Sequence, residues 1–130
     1  ESVMILVPSP FKAPNPGHYS PAVISHGMLY VSGQLSIDPD TREVCPSKDV
    51  RDHARQALDN VDRVLRAAGA RRDQVVFCRV YTPSAEHWGA INEVYAAFFG
   101  EHKPGRVVVS TTDLHFGCLV EIEAVAEMDE

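Results

Sequence analysis

The sequence predicts an α+β protein in which two helices cover one face of a mixed β-sheet. Three observations carry this expectation. Two segments place apolar residues at helical spacing, Val50 to Ala68 and Trp88 to Phe99. Several shorter segments are rich in β-branched and aromatic residues and are bounded by turn formers. The last of them, Cys118 to Met128, alternates apolar and mixed positions with a period of two.

Taken in order, Met4 to Val7 is a short strand signal. From Pro8 to Pro21 the prolines at 8, 10, 14, 16 and 21 forbid a continuous helix or a central strand. Phe11 and Tyr19 within this stretch point to an ordered loop that packs. Ala22 to Ser25 reads as a strand, His26-Gly27 as a turn and Met28 to Gly33 as the next strand. Asp38-Pro39-Asp40 is a turn. Val50 to Ala68 carries one continuous stripe (Val50, Ala54, Ala57, Leu58, Val61, Val64, Leu65, Ala68), with Asp49 to cap its start and Gly69 its end. Gln74 to Thr82 alternates as a strand. Ser84 caps a second helix that buries Trp88, Ile91, Tyr95, Phe98 and Phe99 and stops at Gly100. Val107 to Thr111 and Cys118 to Met128 complete the order β-β-β-α-β-α-β-β.

Two helices cover only one face of such a sheet. In the last strand the even positions (Cys118, Val120, Ile122, Ala124, Ala126, Met128) should face them, leaving Leu119, Glu121, Glu123, Val125 and Glu127 on the other side. The other strands place Val and Leu on both faces. A lone chain would expose that apolar second face, which predicts a homo-oligomer.

The 130 residues favour a single domain, 1–130, long enough to bury a core without disulfide or metal staples. Apolar residues make up 45% and charged residues 23%, the mix of a soluble globular protein. The net charge of -6, with no basic stripe, argues against nucleic acid as a partner. No apolar run is long enough to span a membrane, and the start lacks the features of a signal peptide. Cys45, Cys78 and Cys118 are odd in number, far apart and without zinc spacing. They suit reduced thiols in a cytoplasmic protein. The six histidines show no HxxH or HxxxH spacing, so no metal site is expected.

Two constellations can carry chemistry. In Pro104-Gly105-Arg106-Val107-Val108-Val109 an arginine enters an otherwise β-branched strand, and its planar fork suits bidentate grip of a carboxylate. The alternative is a solvated arginine at a strand end. In Leu119-Val120-Glu121-Ile122-Glu123-Ala124 two carboxylates share one strand face and can act as acid/base groups or position a water. The alternative is a polar solvent stripe. If that face is buried, each carboxylate needs a partner, for which Arg106 and Arg79 are the candidates. Gly33, in Ser32-Gly33-Gln34, would let a ligand approach the backbone closely. His115, in Asp113-Leu114-His115-Phe116-Gly117, precedes the Glu121 strand. No phosphate-binding glycine loop and no Gly-x-Ser-x-Gly nucleophile signature is present.

The ordered set Gly17-His18-Tyr19-Ser20-Pro21-Ala22-Val23, Tyr30-Val31-Ser32-Gly33-Gln34, Ala57-Leu58-Asp59-Asn60-Val61, Ala67-Ala68-Gly69-Ala70, Ile91 to Phe99, Pro104-Gly105-Arg106 and Val120 to Ala126 resembles the Rid family. These are the reactive intermediate deaminases (RidA, YjgF), also called the endoribonuclease L-PSP family. The resemblance runs from about Ala13 to about Ala126. It implies a chorismate-mutase-like fold of the bacillus type. It also implies a homotrimer whose sheets form a central barrel with three clefts between subunits. The implied activity is that of a cofactor-independent hydrolase of the 2-iminobutanoate/2-iminopropanoate deaminase type. Such an enzyme converts 2-aminoacrylate and related enamines or imines to a 2-keto acid and ammonia. By the same resemblance Arg106 binds the substrate carboxylate, Glu121 holds the attacking water, and Tyr19, Ser32, Gly33 and Asn92 line the cleft.

The sequence departs from the family pattern at three places. Val107 and Val108 follow the arginine where Ser and then Cys or Ala are usual, Leu114-His115-Phe116 replaces Leu-Pro, and His18 replaces a Pro. His18, His115 and Phe116 are therefore expected at the cleft mouth, where they would narrow it or favour a larger or aromatic-like substrate. A 2-aminomuconate-type deaminase stays open, as does a non-catalytic trimeric protein that binds small carboxylates or keto acids for regulation. The pair Arg106 and Glu121 weighs against the latter, because binding alone needs only the arginine. Action on RNA is disfavoured by the acidic charge, and chorismate mutase by the shortage of converging cations.

Overall fold

The computed structural model describes residues 3–129. Six strands, β1 (Ile5–Val7), β2 (Ala22–Ser25), β3 (Met28–Leu35), β4 (Val75–Thr82), β5 (Gly105–Ser110) and β6 (Glu121–Glu127), and two helices, α1 (Val50–Ala67) and α2 (Trp88–Phe99), follow the expected order. The sheet runs β1-β2-β3-β6-β4-β5 and is antiparallel except for the parallel pair β4–β5. The chain is thus α+β with a mixed sheet, as the sequence predicts.

Helix α1 forms where its stripe demands. Asp49 accepts a hydrogen bond from the Arg51 backbone N–H at 3.0 Å, and Ala54, Ala57, Leu58, Val61, Val64 and Leu65 are all buried. These side chains meet Leu29, Val31, Val80, Val120, Ile122, Ala124 and Ala126 in one core. Cys118, Val120, Ile122, Ala124 and Ala126 are buried as the alternation requires. The final strand is shorter than expected, because Cys118–Val120 precede the first ladder pair of β6 at Glu121. On α2, Ile91, Tyr95 and Phe99 are buried, but Trp88 is 49% exposed, against the expectation of a buried residue. It sits on the first turn of α2, beside the guanidinium of Arg106.

The second face of the sheet is uncovered. Tyr30, Val107 and Val109 are exposed there, alongside Arg79 and the half-buried Glu121 and Glu123.

The proline-rich segment is an anchored loop. Lys12 N–H donates to Asp40 at 2.9 Å, and Arg63 grips the same carboxylate with two bonds of 3.1 Å while standing 4.9 Å from the Phe11 ring centre. The loop thereby forms a wall beside β3 rather than a linker.

Candidate active site

Two groups of side chains answer to the expected site, and one chain keeps them apart. The first lines a cavity of about 500 Å³ between the proline-rich loop, β3, the Asp38–Glu43 turn and the segment before β6. Tyr19, Ser32, Gly33, His115, Phe116 and Glu121 all face it. His18 is exposed in the loop between two lining residues, Gly17 and Tyr19, and is not itself part of the lining.

The β3–β6 ladder shifts register between Val31 and Gln34, a bulge that takes Ser32 and Gly33 out of regular pairing. Ser32 N–H instead donates to the Pro21 carbonyl at 2.9 Å, and its hydroxyl to the Ser20 carbonyl at 2.7 Å, tying the loop to the strand. Gly33 lies beneath the Glu121 side chain. A Cβ at this position would stand 2.6 Å from Glu121 Oε2, so any larger residue would push that carboxylate aside.

Glu121 and Glu123 have different surroundings. Glu123 accepts from Arg79 at 2.8 Å and from the Tyr81 hydroxyl at 2.9 Å. Glu121 makes no hydrogen bond or ion pair among the described residues. Burial holds its carboxyl above the usual glutamate range, the charge of Glu123 adds to this, and His115 opposes it. The sign gives a test. The opposing contribution of His115 is coulombic. His115→Gln removes that contribution, so the midpoint of Glu121 should move still higher. Carbon-detected NMR of the Glu121 carboxyl reads this directly. An unchanged or lower midpoint would show that His115 does not act on Glu121.

The second group lies on the opposite face of the sheet. Arg106 pairs in register with Cys78, and Cys78 with Ala124, both of which face the helices. Its guanidinium donates to Asn92 Oδ1 at 2.9 Å and lies 4.8 Å from the Tyr95 ring centre and 5.4 Å from that of Trp88. It forms no ion pair among the described residues, so most of its fork keeps free donors. Asn92 therefore belongs with Arg106, not with Tyr19, Ser32 and Gly33. Of the two proposed partners for the glutamates, Arg79 does pair with Glu123, whereas Arg106 does not reach Glu121 within a chain.

Sequence reasoning missed Trp88 and Tyr95 as the aromatic flank of Arg106, and Arg42 as a cavity residue. The aromatic spacing on α2 carried the first signal, since Trp88, Asn92 and Tyr95 stand three and four residues apart on one helix side. Among the described residues no group of three or more His, Cys, Asp or Glu is arranged to hold a metal ion, and no helix is long and apolar enough to cross a membrane.

Comparison with known proteins adds an independent finding. The model of the family described as endoribonuclease L-PSP matches residues 11–128. A RutC family protein of Pyrococcus horikoshii is 42% identical over 115 residues, covering 88% of this chain and 90% of the relative. The 2-iminobutanoate/2-iminopropanoate deaminase of Rattus norvegicus is 36% identical over 126 residues, covering 96% and 91%. Among solved structures, E. coli TdcF with bound serine superposes with a TM-score of 0.83 at 34% identity, covering 91% of this chain and 94% of that one.

Proposed function

The chain belongs to the endoribonuclease L-PSP family, and on that premise we propose that it is an enamine/imine deaminase acting on small 2-imino acids. The observation that carries this reading is the pair of unpartnered groups: a guanidinium fork with free donors and a raised-pKa carboxylate over a glycine. The chemistry needs both. Arg106 would hold the substrate carboxylate in a bidentate grip and so fix the position of C2. Glu121 would hold a water against C2 and take its proton as the water adds. A carboxylate with its pKa shifted upward is better matched to that proton transfer near neutral pH than an ordinary one.

For 2-aminoacrylate the sequence balances without redox change. A proton added at C3, with one lost from nitrogen, converts the enamine to the imine. Water then adds to C2 as Glu121 takes its proton and passes it to the imine nitrogen, and the carbinolamine collapses to pyruvate and ammonia as its hydroxyl proton moves to the leaving nitrogen. No cofactor is required by these steps. The curated rat deaminase, covered over 91% of its length, and the serine bound in TdcF both support a small amino-acid-like ligand.

A complete site would take Arg106 and Asn92 from one copy and Tyr19, Ser32, Gly33 and Glu121 from the next. The uncovered apolar face, with Tyr30, Val107 and Val109, supports that assembly, and a homotrimer closing its sheets into a barrel satisfies it three times.

The test is ammonia release while a pyridoxal-phosphate dehydratase generates 2-aminoacrylate from serine. The protein should accelerate release above the spontaneous rate. Absence of acceleration, with serine or pyruvate still binding, would favour instead a trimer that holds small carboxylates without turnover.

A further inference from the structure

Seven of the nine arginines form ion pairs, namely Arg51, Arg55, Arg63, Arg66, Arg71, Arg72 and Arg79. The two without one among the described residues are Arg106, which the reading above uses, and Arg42, which it does not. Arg42 is exposed and lines the same cavity as Glu121 and Gly33. It occupies the Asp38–Glu43 turn at φ 69, a left-handed conformation that side chains disfavour and that glycine or asparagine would ordinarily fill. Phe116, on the same cavity, is also left-handed, at φ 62. Non-glycine residues held this way cluster at ligand sites, because ordinary selection for stability would replace them.

Of the acidic groups in this turn, Asp38 and Asp40 are otherwise engaged, and Glu43 forms no ion pair with Arg42. Asp40 is taken by Arg63 with two bonds of 3.1 Å and by Lys12 N–H at 2.9 Å. The Asp38 carboxylate accepts from Asp40 N–H at 2.9 Å. In the single chain the cavity also has room for more than a three-carbon substrate. At about 30 Å³ per non-hydrogen atom, the six such atoms of 2-aminoacrylate fill less than half of about 500 Å³. The same lining carries the apolar Phe11, Ile37 and Pro39 beside the polar Gln34 and Asn60. A partly apolar cavity with a lone cation on its wall suits a short methylene chain ending in an anion.

We propose that this cavity takes imino acids whose side chain ends in a second carboxylate, with Arg42 as the residue that holds that carboxylate. The inference rests on the reading that Glu121 faces the reacting carbon, and it names the substrate class. The reaction itself is unchanged: water adds at C2 and ammonia leaves. The second carboxylate binds without reacting.

Binding of the oxo-acid products tests the class apart from turnover. In calorimetric titration of the full chain, 2-oxoglutarate should bind about tenfold or more tighter than 2-oxobutanoate. Arg42→Gly, which suits the left-handed turn and should fold normally, should bring the two affinities together, and Arg42→Lys should restore most of the difference. Arg106→Ala should weaken both acids alike. Equal affinities in the wild type, or a preference that survives Arg42→Gly, would overturn the inference. Ammonia release from 2-iminoglutarate, generated by an amino-acid oxidase, reads the deaminase proposal separately. A protein that binds 2-oxoglutarate through Arg42 yet accelerates no imine would keep the ligand class and lose the chemistry.

Discussion

Arg106→Ala should lower the acceleration of 2-aminoacrylate hydrolysis about a hundred- to a thousandfold in kcat/KM while the chain stays folded. The size follows from what is removed. Truncating one member of a hydrogen-bonded charge pair costs about 2–5 kcal/mol when the other member is left desolvated, and about 1.4 kcal/mol is a factor of ten. The loss of orientation adds to it, since the proposed mechanism needs C2 against a water held by Glu121. Stability should change little. The side chain makes one hydrogen bond, to Asn92, and its charge has no ion pair to lose. Circular dichroism and sedimentation of the variant check this. Arg106→Lys separates charge from geometry: it keeps the cation but not the planar fork, so it should fall between wild type and alanine. Spontaneous hydrolysis is fast, so each rate is read as the excess over buffer. An alanine variant with wild-type acceleration would remove the carboxylate grip from the mechanism.

What the sequence discloses about this molecule is what periodicity can encode. The apolar stripe of Val50 to Leu65 and the alternation from Cys118 to Ala126 each point to one buried side, and both sides are buried as expected. Pairing between distant strands is not encoded that way. In β5, Arg106 and Val108 share one face and Val107 and Val109 the other, and both faces are β-branched. Nothing local says which faces the helices. Only the register Cys78 with Arg106 decides it, and that decision separates Arg106 from Glu121. The bulge at Ser32-Gly33 was half legible, because a glycine inside a strand signals close approach, though not that Glu121 is what approaches. Trp88 has the spacing of a core residue and lies exposed, because the arginine it flanks comes from another element. Arg42 was not legible, since its left-handed turn and its lack of a partner are both properties of the folded chain.

The separation of Arg106 from Glu121 leads to the second large expected effect, which is restoration of activity by mixing two inactive proteins. If one copy supplies the arginine and its neighbour the carboxylate, then Arg106→Ala and Glu121→Gln are each inactive at every interface of a homotrimer. In a mixed trimer one interface joins the intact Arg106 of one variant to the intact Glu121 of the other. The other two interfaces lack at least one group. Random assembly from an equal mixture therefore rebuilds about a quarter of the wild-type sites. Co-refolding or co-expression of the two variants should recover about that share of the wild-type acceleration, from a background near zero. Mixing the folded homotrimers without exchange should recover nothing, which controls for contamination. If the site instead lay within one chain, no mixture could place both groups together and the co-refolded sample would stay inactive. The same experiment with Asn92→Ala in place of Arg106→Ala has a definite sign. Asn92 holds Arg106 at 2.9 Å, so its variant should complement Glu121→Gln and should not complement Arg106→Ala. A pattern in which Asn92 complements Arg106 would assign the two to different halves of the site and overturn the grouping argued from their hydrogen bond.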